Sequence, residues 1–236
     1  MKLYLIPIPL SENALDSLSP MVKQTVLVTQ YYLVENVRTA RRFISSLKIG
    51  VDISQLTFFE VNKDTNLQKL TEYFKQIPSE ANVGVMSEAG CPAVADPGSL
   101  AVSYAHKHRI QVVPLVGPSS ILLALMASGL NGQSFAFQGY LPIDRSERSK
   151  AIKNLEKDSK QKKQTQIFIE TPYRNNHVLE QLANDLQEET SLCIAANLTG
   201  ENELVISKKA KEWKSDLAKK QLPDLHKQPT IFILLA

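Results

Sequence analysis

The densest chemistry in this chain sits in one run, Ser87-Glu88-Ala89-Gly90-Cys91-Pro92-Ala93-Val94-Ala95-Asp96-Pro97-Gly98. Gly90 and Gly98 let backbone approach a ligand closely, and Pro92 and Pro97 stiffen the loop. Glu88 and Asp96 add two carboxylates, able to accept hydrogen bonds from a ribose, an amine or a backbone amide. A rigid strand-to-helix turn, with Asp96 as a first-turn helix acid, accounts for the same residues. Spacing alone leaves the two readings level. A second group is Glu35 with Arg38, Arg41 and Arg42 at a strand-to-helix junction. It reads either as a base with anion-contacting partners or as a salt-bridged helix start.

Other chemistries find no support. G-x-x-x-x-G-K-[ST], a G-x-G-x-x-G after the first strand and G-x-S-x-G are all absent. The four histidines have no metal-ligand spacing, so no metal site is expected. Cys91 and Cys193 are far apart and suggest a reducing compartment rather than a disulfide framework. The net charge of +3 does not by itself announce a nucleic-acid binder. Arg145–Lys163 does carry eight Lys/Arg against three acids. That is a nucleic-acid patch or a solvated helix face plus loop, and no aromatic residue interleaves it to stack on bases.

The elements that must position these residues alternate. Strands are expected at Leu3–Ile8, Val26–Thr29, Leu56–Val61, Val83–Met86 and Gln111–Leu115. A weak helix near Ala14–Lys23, with a cap at Ser11, lies between the first two. Helices at Asn36–Leu47, Leu67–Gln76 and Leu100–His108 separate the others. Strand–helix alternation implies a parallel sheet covered on both faces. After Val116-Gly117-Pro118-Ser119, an apolar helix Ser120–Ser128 opens a second set. It has strands at Phe135–Gln138, Gln166–Ile169, Leu192–Ala196, Glu203–Ile206 and Thr230–Leu235. Its helices are expected at Ser149–Glu156, Asn175–Leu186 and Ala210–Leu217, with Lys157–Gln164 as a polar loop. Consecutive strands there imply a mixed sheet. The expected architecture is α/β with two αβα domains, 1–118 and 119–236. The N-terminal sheet is mostly parallel and the C-terminal one mixed. Ile121–Ala127 is too short to cross a bilayer. Leu3–Leu10 holds two prolines and no cleavage site, so it does not read as a signal peptide. A soluble, cytoplasmic protein is expected.

The order of motifs resembles the tetrapyrrole methylase superfamily, a class of S-adenosylmethionine-dependent methyltransferases. Ser87–Gly98 is similar to its SDAGTPxxSDPG loop, and Val112–Ser120 to VVPLPGPSA, continued at Ala127–Leu130. Leu3–Asn13 resembles the first strand with TPIGNL, Val34–Arg38 AEDTR, Gln138–Pro142 EGFLP, and Phe168–Arg174 FYESPHR. Within the superfamily the pattern is most similar to the branch of small-subunit ribosomal RNA 2′-O-ribose (cytidine) methyltransferases. The departures are specific. TPIGN becomes Pro9-Leu10-Ser11-Glu12-Asn13, EDTR keeps only Glu35 and Arg38, SDAG becomes Ser87-Glu88-Ala89-Gly90, and ARELTK becomes Ala195–Gly200.

The resemblance implies a methyltransferase of EC class 2.1.1 that binds S-adenosylmethionine in a cleft between two αβα domains. Cofactor contacts are expected at Pro9, Glu88, Gly90, Val94, Ala95, Ser119 and Ser120. The resemblance adds Met126, Tyr173, Asn197, Leu198, Pro229 and Thr230. Glu35 is the expected base and Arg38 its phosphate-contacting or orienting partner. A ribosomal RNA or small-subunit substrate, no membrane partner and a homodimer are implied. Two alternatives stand beside this reading: methylation of a tetrapyrrole-like small molecule, and a non-catalytic S-adenosylmethionine-binding protein.

Overall fold

The structure is a computed structural model describing residues 1–236. The chain divides into two compact units, Met1–Ser119 and Ser120–Ala236.

The first unit runs β1 (Lys2–Leu5), α1 (Pro20–Leu27), β2 (Tyr31–Val34), α2 (Val37–Ser46), β3 (Thr57–Glu60), α3 (Leu67–Lys75), β4 (Val83–Met86), α4 (Ser99–Lys107) and β5 (Gln111–Pro114). Its sheet has the order β3-β2-β4-β1-β5, with every pair parallel. Period-2 alternation sends Leu3, Leu33, Val83 and Val85 to one face, beneath α3 and α4. Ile6, Tyr32, Val34 and Met86 face the other side, beneath α1 and α2. Gly84 makes room at the centre, because a Cβ there would lie 2.8 Å from Ile6 Cδ1 and from Tyr32 Cδ1. Asn36 caps α2 by accepting from Thr39 N at 3.1 Å.

Three expectations for this unit fail. Val26–Thr29 is not a strand: Val26 lies in α1, Val28 is its C-cap, and the second strand is Tyr31–Val34. The β-branched run misleads because Val22, Thr25 and Val26 form one buried helical face, and burial outweighs local propensity. The helix therefore starts at Pro20, capped by Ser19, rather than near Ala14 with a cap at Ser11. The first strand also ends at Leu5, and beyond Pro7, Ile8 forms only an isolated bridge.

The second unit runs α5 (Ser120–Ser128), β6 (Phe135–Tyr140), α6 (Arg145–Lys162), β7 (Thr165–Ile169), α7 (Asn175–Asp185), β8 (Ser191–Ala196), β9 (Leu204–Lys209), α8 (Ala210–Ala218) and β10 (Thr230–Leu235). Its sheet order is β6-β7-β10-β8-β9. Only β6 and β7 pair in parallel, so the sheet is mixed. One face packs on α6, α7 and α8 around Trp213, Phe168 and Phe232. The helix α5 packs against β8, β9 and β10. Lys157–Gln164 is not a loop, because α6 continues to Lys162 and ends at left-handed Lys163. Its polar sequence hides an inward row, Ile152, Glu156 and Ser159, and Ser159 Oγ accepts from Ala236 N at 2.9 Å. No helix in the chain is long and apolar enough to cross a membrane.

Candidate active site

In the first unit the carboxyl ends of all five strands lie at one edge of the sheet. The adjacent strands β1 and β4 send their onward chains to opposite faces, to α1 and α4. Ligand crevices of open α/β sheets lie at such a switch point. Here the segments leaving β1, β4 and β5 are locked together. Ile8 N donates to Gly90 O at 2.9 Å, and Gly90 N returns a bond to Ile8 O at 2.9 Å. Gly90 adopts φ +71°, a conformation that suits glycine. Gly117, after β5, packs so closely that a Cβ would lie 2.3 Å from Pro7 Cβ and Cγ. The Cys91 thiol donates to Pro118 O at 3.3 Å.

The loop Ser87–Gly98 is held in an uncommon shape. Ala93 (φ +68°) and Ala95 (φ +60°) are left-handed without being glycine. Such residues persist only where their surroundings over-determine them. Asp96 supplies that constraint: its Oδ1 accepts from Gly98 N at 2.6 Å, and the amides of Ala93 and Val94 also support the carboxylate. Burial nevertheless pushes the Asp96 pKa above the usual carboxylate value, the amides opposing the shift. Asp96 therefore clamps a rigid turn, but it is not a first-turn acid of α4: it precedes the N-cap Gly98 by two residues and is spent on the loop's own amides. Glu88, Val94 and Ala95 remain exposed on it.

Glu35 follows β2, and its Oε2 accepts from Glu88 N at 3.0 Å. Burial raises its pKa, the Glu88 amide opposes this, and the nearby charges of Glu88 and Asp96 add to the rise. Arg38 is exposed on the first turn of α2. Between the β1 loop and α2 lies a recess of about 410 Å³. Its apolar side is Ile8, Pro9, Leu10 and Phe43, and its polar side includes Glu12, Thr39, Arg42 and Glu88. That volume is within the range of about 300–1,000 Å³ common for small-molecule sites. The apolar wall can pack on a nucleoside and Glu88 can attract a cation, while Glu12 is paired with Arg42 at 3.4 Å, so these residues fit a nucleoside sulfonium.

The structure thus brings Pro9, Glu35, Glu88 and Gly90 together, with Val94 and Ala95 on the same clamped loop and Ser119 ending this unit. In the second unit, Asn197, Leu198, Pro229 and Thr230 meet at one sheet end. There β8 and β10 pair Ala196 with Thr230, and Asn197 N donates to Pro229 O at 2.9 Å. Asn197 is left-handed (φ +50°), and its Nδ2 reaches Gln228 Oε1 at 3.1 Å. Tyr173 joins that end through Pro172, whose carbonyl accepts from Lys227 N at 3.0 Å; its ring is exposed and meets His226 edge-on. Ser120 and Met126 lie on α5, with Met126 exposed. No group of three or more His, Cys, Asp or Glu is placed to hold a metal.

Sequence reasoning missed Pro7, Thr39 and Phe43 as neighbours of the site, and the strain at Ala93 and Ala95. Alanine carries no left-handed signal, whereas Asn197 does, because asparagine tolerates that region.

The family model for Tetrapyrrole (Corrin/Porphyrin) Methylases matches residues 23–214. A "Ribosomal RNA small subunit methyltransferase I" of Bacillus subtilis is 30% identical over 184 residues, 78% of this chain and 59% of that protein. Its namesake in Vibrio cholerae is 28% identical over 197 residues, 84% of this chain and 65% of that protein. The chain therefore spans less than two thirds of the length of these relatives. Among solved structures, the methyltransferase CobJ shares the fold with a TM-score of 0.62 at 15% identity, over 99% of this chain and 93% of that one. The uroporphyrin-III C-methyltransferase from Thermus thermophilus, complexed with S-adenosylhomocysteine, has a TM-score of 0.56 at 14% identity, over 100% and 97%.

Proposed function

This chain belongs to the tetrapyrrole methylase family, and on that premise we propose that it methylates a ribose 2′-hydroxyl of small-subunit ribosomal RNA. S-adenosylmethionine is the proposed donor, which places the activity in EC class 2.1.1. The observation that carries the reading is the set of loops locked at the β1/β4 switch point, with a clamped Ser87–Gly98 turn beside a recess of about 410 Å³. The names of the ribosomal RNA relatives support the substrate.

Pro9, Gly90, Val94 and Ala95 hold the donor through backbone and apolar contact, and Glu88 attracts its cationic groups. When bound, the donor supplies an activated methyl with a neutral leaving group, so the protein's task is mainly positioning. The acceptor hydroxyl needs a base as its new bond forms. Glu35 provides one: Oε2 is engaged by Glu88 N, and Oε1 takes the proton. Its raised pKa makes it a stronger base than an ordinary glutamate. Arg38, exposed on the next helical turn, contacts the phosphate next to the acceptor ribose. A cytoplasmic homodimer is the proposed working form.

The test incubates the protein and labelled S-adenosylmethionine with small ribosomal subunits from a strain lacking its gene, followed by mapping of the label by mass. Label on a ribose is expected. Label on a tetrapyrrole instead, or no transfer despite cofactor binding, would overturn the proposed substrate.

A further inference from the structure

The charge on α6 resolves into paired and unpaired groups once each partner is known. Arg148 turns inward, its Nε donating to Gln181 Oε1 at 2.7 Å and its Nη1 to Ile143 O at 3.0 Å. All three acids of the segment are engaged. Glu147 pairs with Lys150 at 2.8 Å, and Asp158 with Lys162 at 3.5 Å. Glu156 is buried and accepts from Gln187 N and the Thr190 hydroxyl. This leaves Arg145, Lys153, Lys157, Lys160 and Lys163 exposed with no ion-pair partner; Arg145 and Lys163 flank the ends of α6, and Lys153, Lys157 and Lys160 lie along its body.

The spacing of these last three, four and three residues, puts them on one helical face, stepping about 6 and 4.5 Å along the axis. They rim a recess of about 480 Å³ that is also lined by Gln161, Gln187, Asp185 and the buried Glu156, whose carboxylate is already engaged by Gln187 N and the Thr190 hydroxyl. Asp185 is the second acid there, and it accepts from Gln181 Nε2 at 3.1 Å. A helix face serving solubility alone interleaves opposite charges, as the Glu147 and Asp158 pairs do at other places on α6. Lys153, Lys157 and Lys160 instead have no ion-pair partner, and a bound anion relieves their mutual repulsion. Long lysines in a row fit a repeating polyanion, and glutamine amides can donate to its non-bridging oxygens. The absence of aromatic residues fits contact with the backbone rather than with bases.

We infer that this face of α6 is a docking surface for the phosphodiester backbone of RNA. The inference rests on the proposed ribosomal RNA substrate and makes Lys153, Lys157 and Lys160 positioning residues that touch no reacting atom. The test compares wild type with the Lys153→Gln/Lys157→Gln/Lys160→Gln variant and a charge-matched control, Lys63→Gln/Lys75→Gln/Lys107→Gln. Affinity for small-subunit ribosomal RNA is measured across a salt series. Each lost phosphate contact lowers the slope of log affinity against log salt by about 0.7–0.9. The α6 variant should therefore lose about 2 units of slope and raise KM for the subunit roughly tenfold or more. Its kcat at saturation, its affinity for S-adenosylhomocysteine and its thermal midpoint should stay at wild-type values, as should every property of the control. If wild type methylates ribosomal RNA and the two variants show equal slopes and KM values, the docking surface is refuted while the proposed function stands. If wild type neither binds nor methylates the RNA, both fall.

Discussion

Replacing Gly117 by alanine tests how tightly the strand-end loops of the first unit depend on one another. The new Cβ would fall 2.3 Å from Pro7 Cβ and Cγ. Carbon contacts prefer about 3.5–4.0 Å, so the shortfall is at least about 1.2 Å. The Pro7 ring cannot rotate away, because its φ is locked. The backbone at Val116–Pro118 must move instead, and it takes Pro118 O away from the Cys91 thiol, now at 3.3 Å. Overpacking of this kind costs about 1–3 kcal/mol. With a weak thiol bond also disturbed, unfolding free energy should fall by about 2–3 kcal/mol in a denaturant titration. A misplacement near 1 Å costs on the order of 10²-fold in catalytic geometry. Calorimetric affinity for S-adenosylhomocysteine should accordingly weaken roughly ten- to a hundredfold, equivalent to about 1.4–2.8 kcal/mol. Pro7→Gly in the same molecule removes the obstructing ring and should recover part of both losses as a coupling energy. A Gly117→Ala protein with wild-type midpoint and affinity would refute the close approach and the argument built on it.

Three further predictions follow from single residues. Glu35→Gln keeps an oxygen that can accept from Glu88 N, so cofactor affinity should stay within a few-fold while turnover falls about 10²–10⁴-fold. Burial and the charges of Glu88 and Asp96 raise the Glu35 pKa, so the active, unprotonated form is lost as pH falls through that raised value. The acid limb of the kcat profile should lie above the ordinary glutamate value and vanish in the variant; an unshifted limb retained in the variant would remove Glu35 as base. Trp213 is fully buried and its Nε1 donates to Leu192 O at 2.9 Å. Trp213→Phe removes that hydrogen bond and leaves a gap beside the sheet, and should cost about 2–4 kcal/mol in chemical denaturation. Burial pushes the Cys193 thiol up to about 11, and Cys193 is fully buried. Native protein at pH 8 should be alkylated at Cys91 before Cys193, as read by mass spectrometry; equal rates would contradict the buried placement.

Much of this architecture is legible from pattern alone, for reasons that particular residues make clear. Val83–Met86, Ser120–Ser128 and Thr230–Leu235 occupy the expected ranges, since each is a continuous apolar run bounded by turn residues. Val26–Thr29 and Lys157–Gln164 were misread because their local composition points one way and their burial the other. At the site, the glycines and prolines of Ser87–Gly98 mark a special turn. Its shape, however, depends on contacts far apart in sequence, Ile8 with Gly90 and Pro7 with Gly117. No spacing rule exposes such contacts. The carboxylates show the same divide: Asp96 and Glu88 are visible as residue types, but only the fold shows that one clamps the loop while the other stays exposed and lends its amide to Glu35.

The proposed function depends on where the methyl donor sits. Amide hydrogen exchange, followed with and without saturating S-adenosylhomocysteine, reads that position directly. Slowed exchange at Ile8–Leu10 and across Ser87–Gly98 is the expected result. Unchanged exchange in both segments, with slowing elsewhere or nowhere, would contradict a donor site at the β1/β4 switch point.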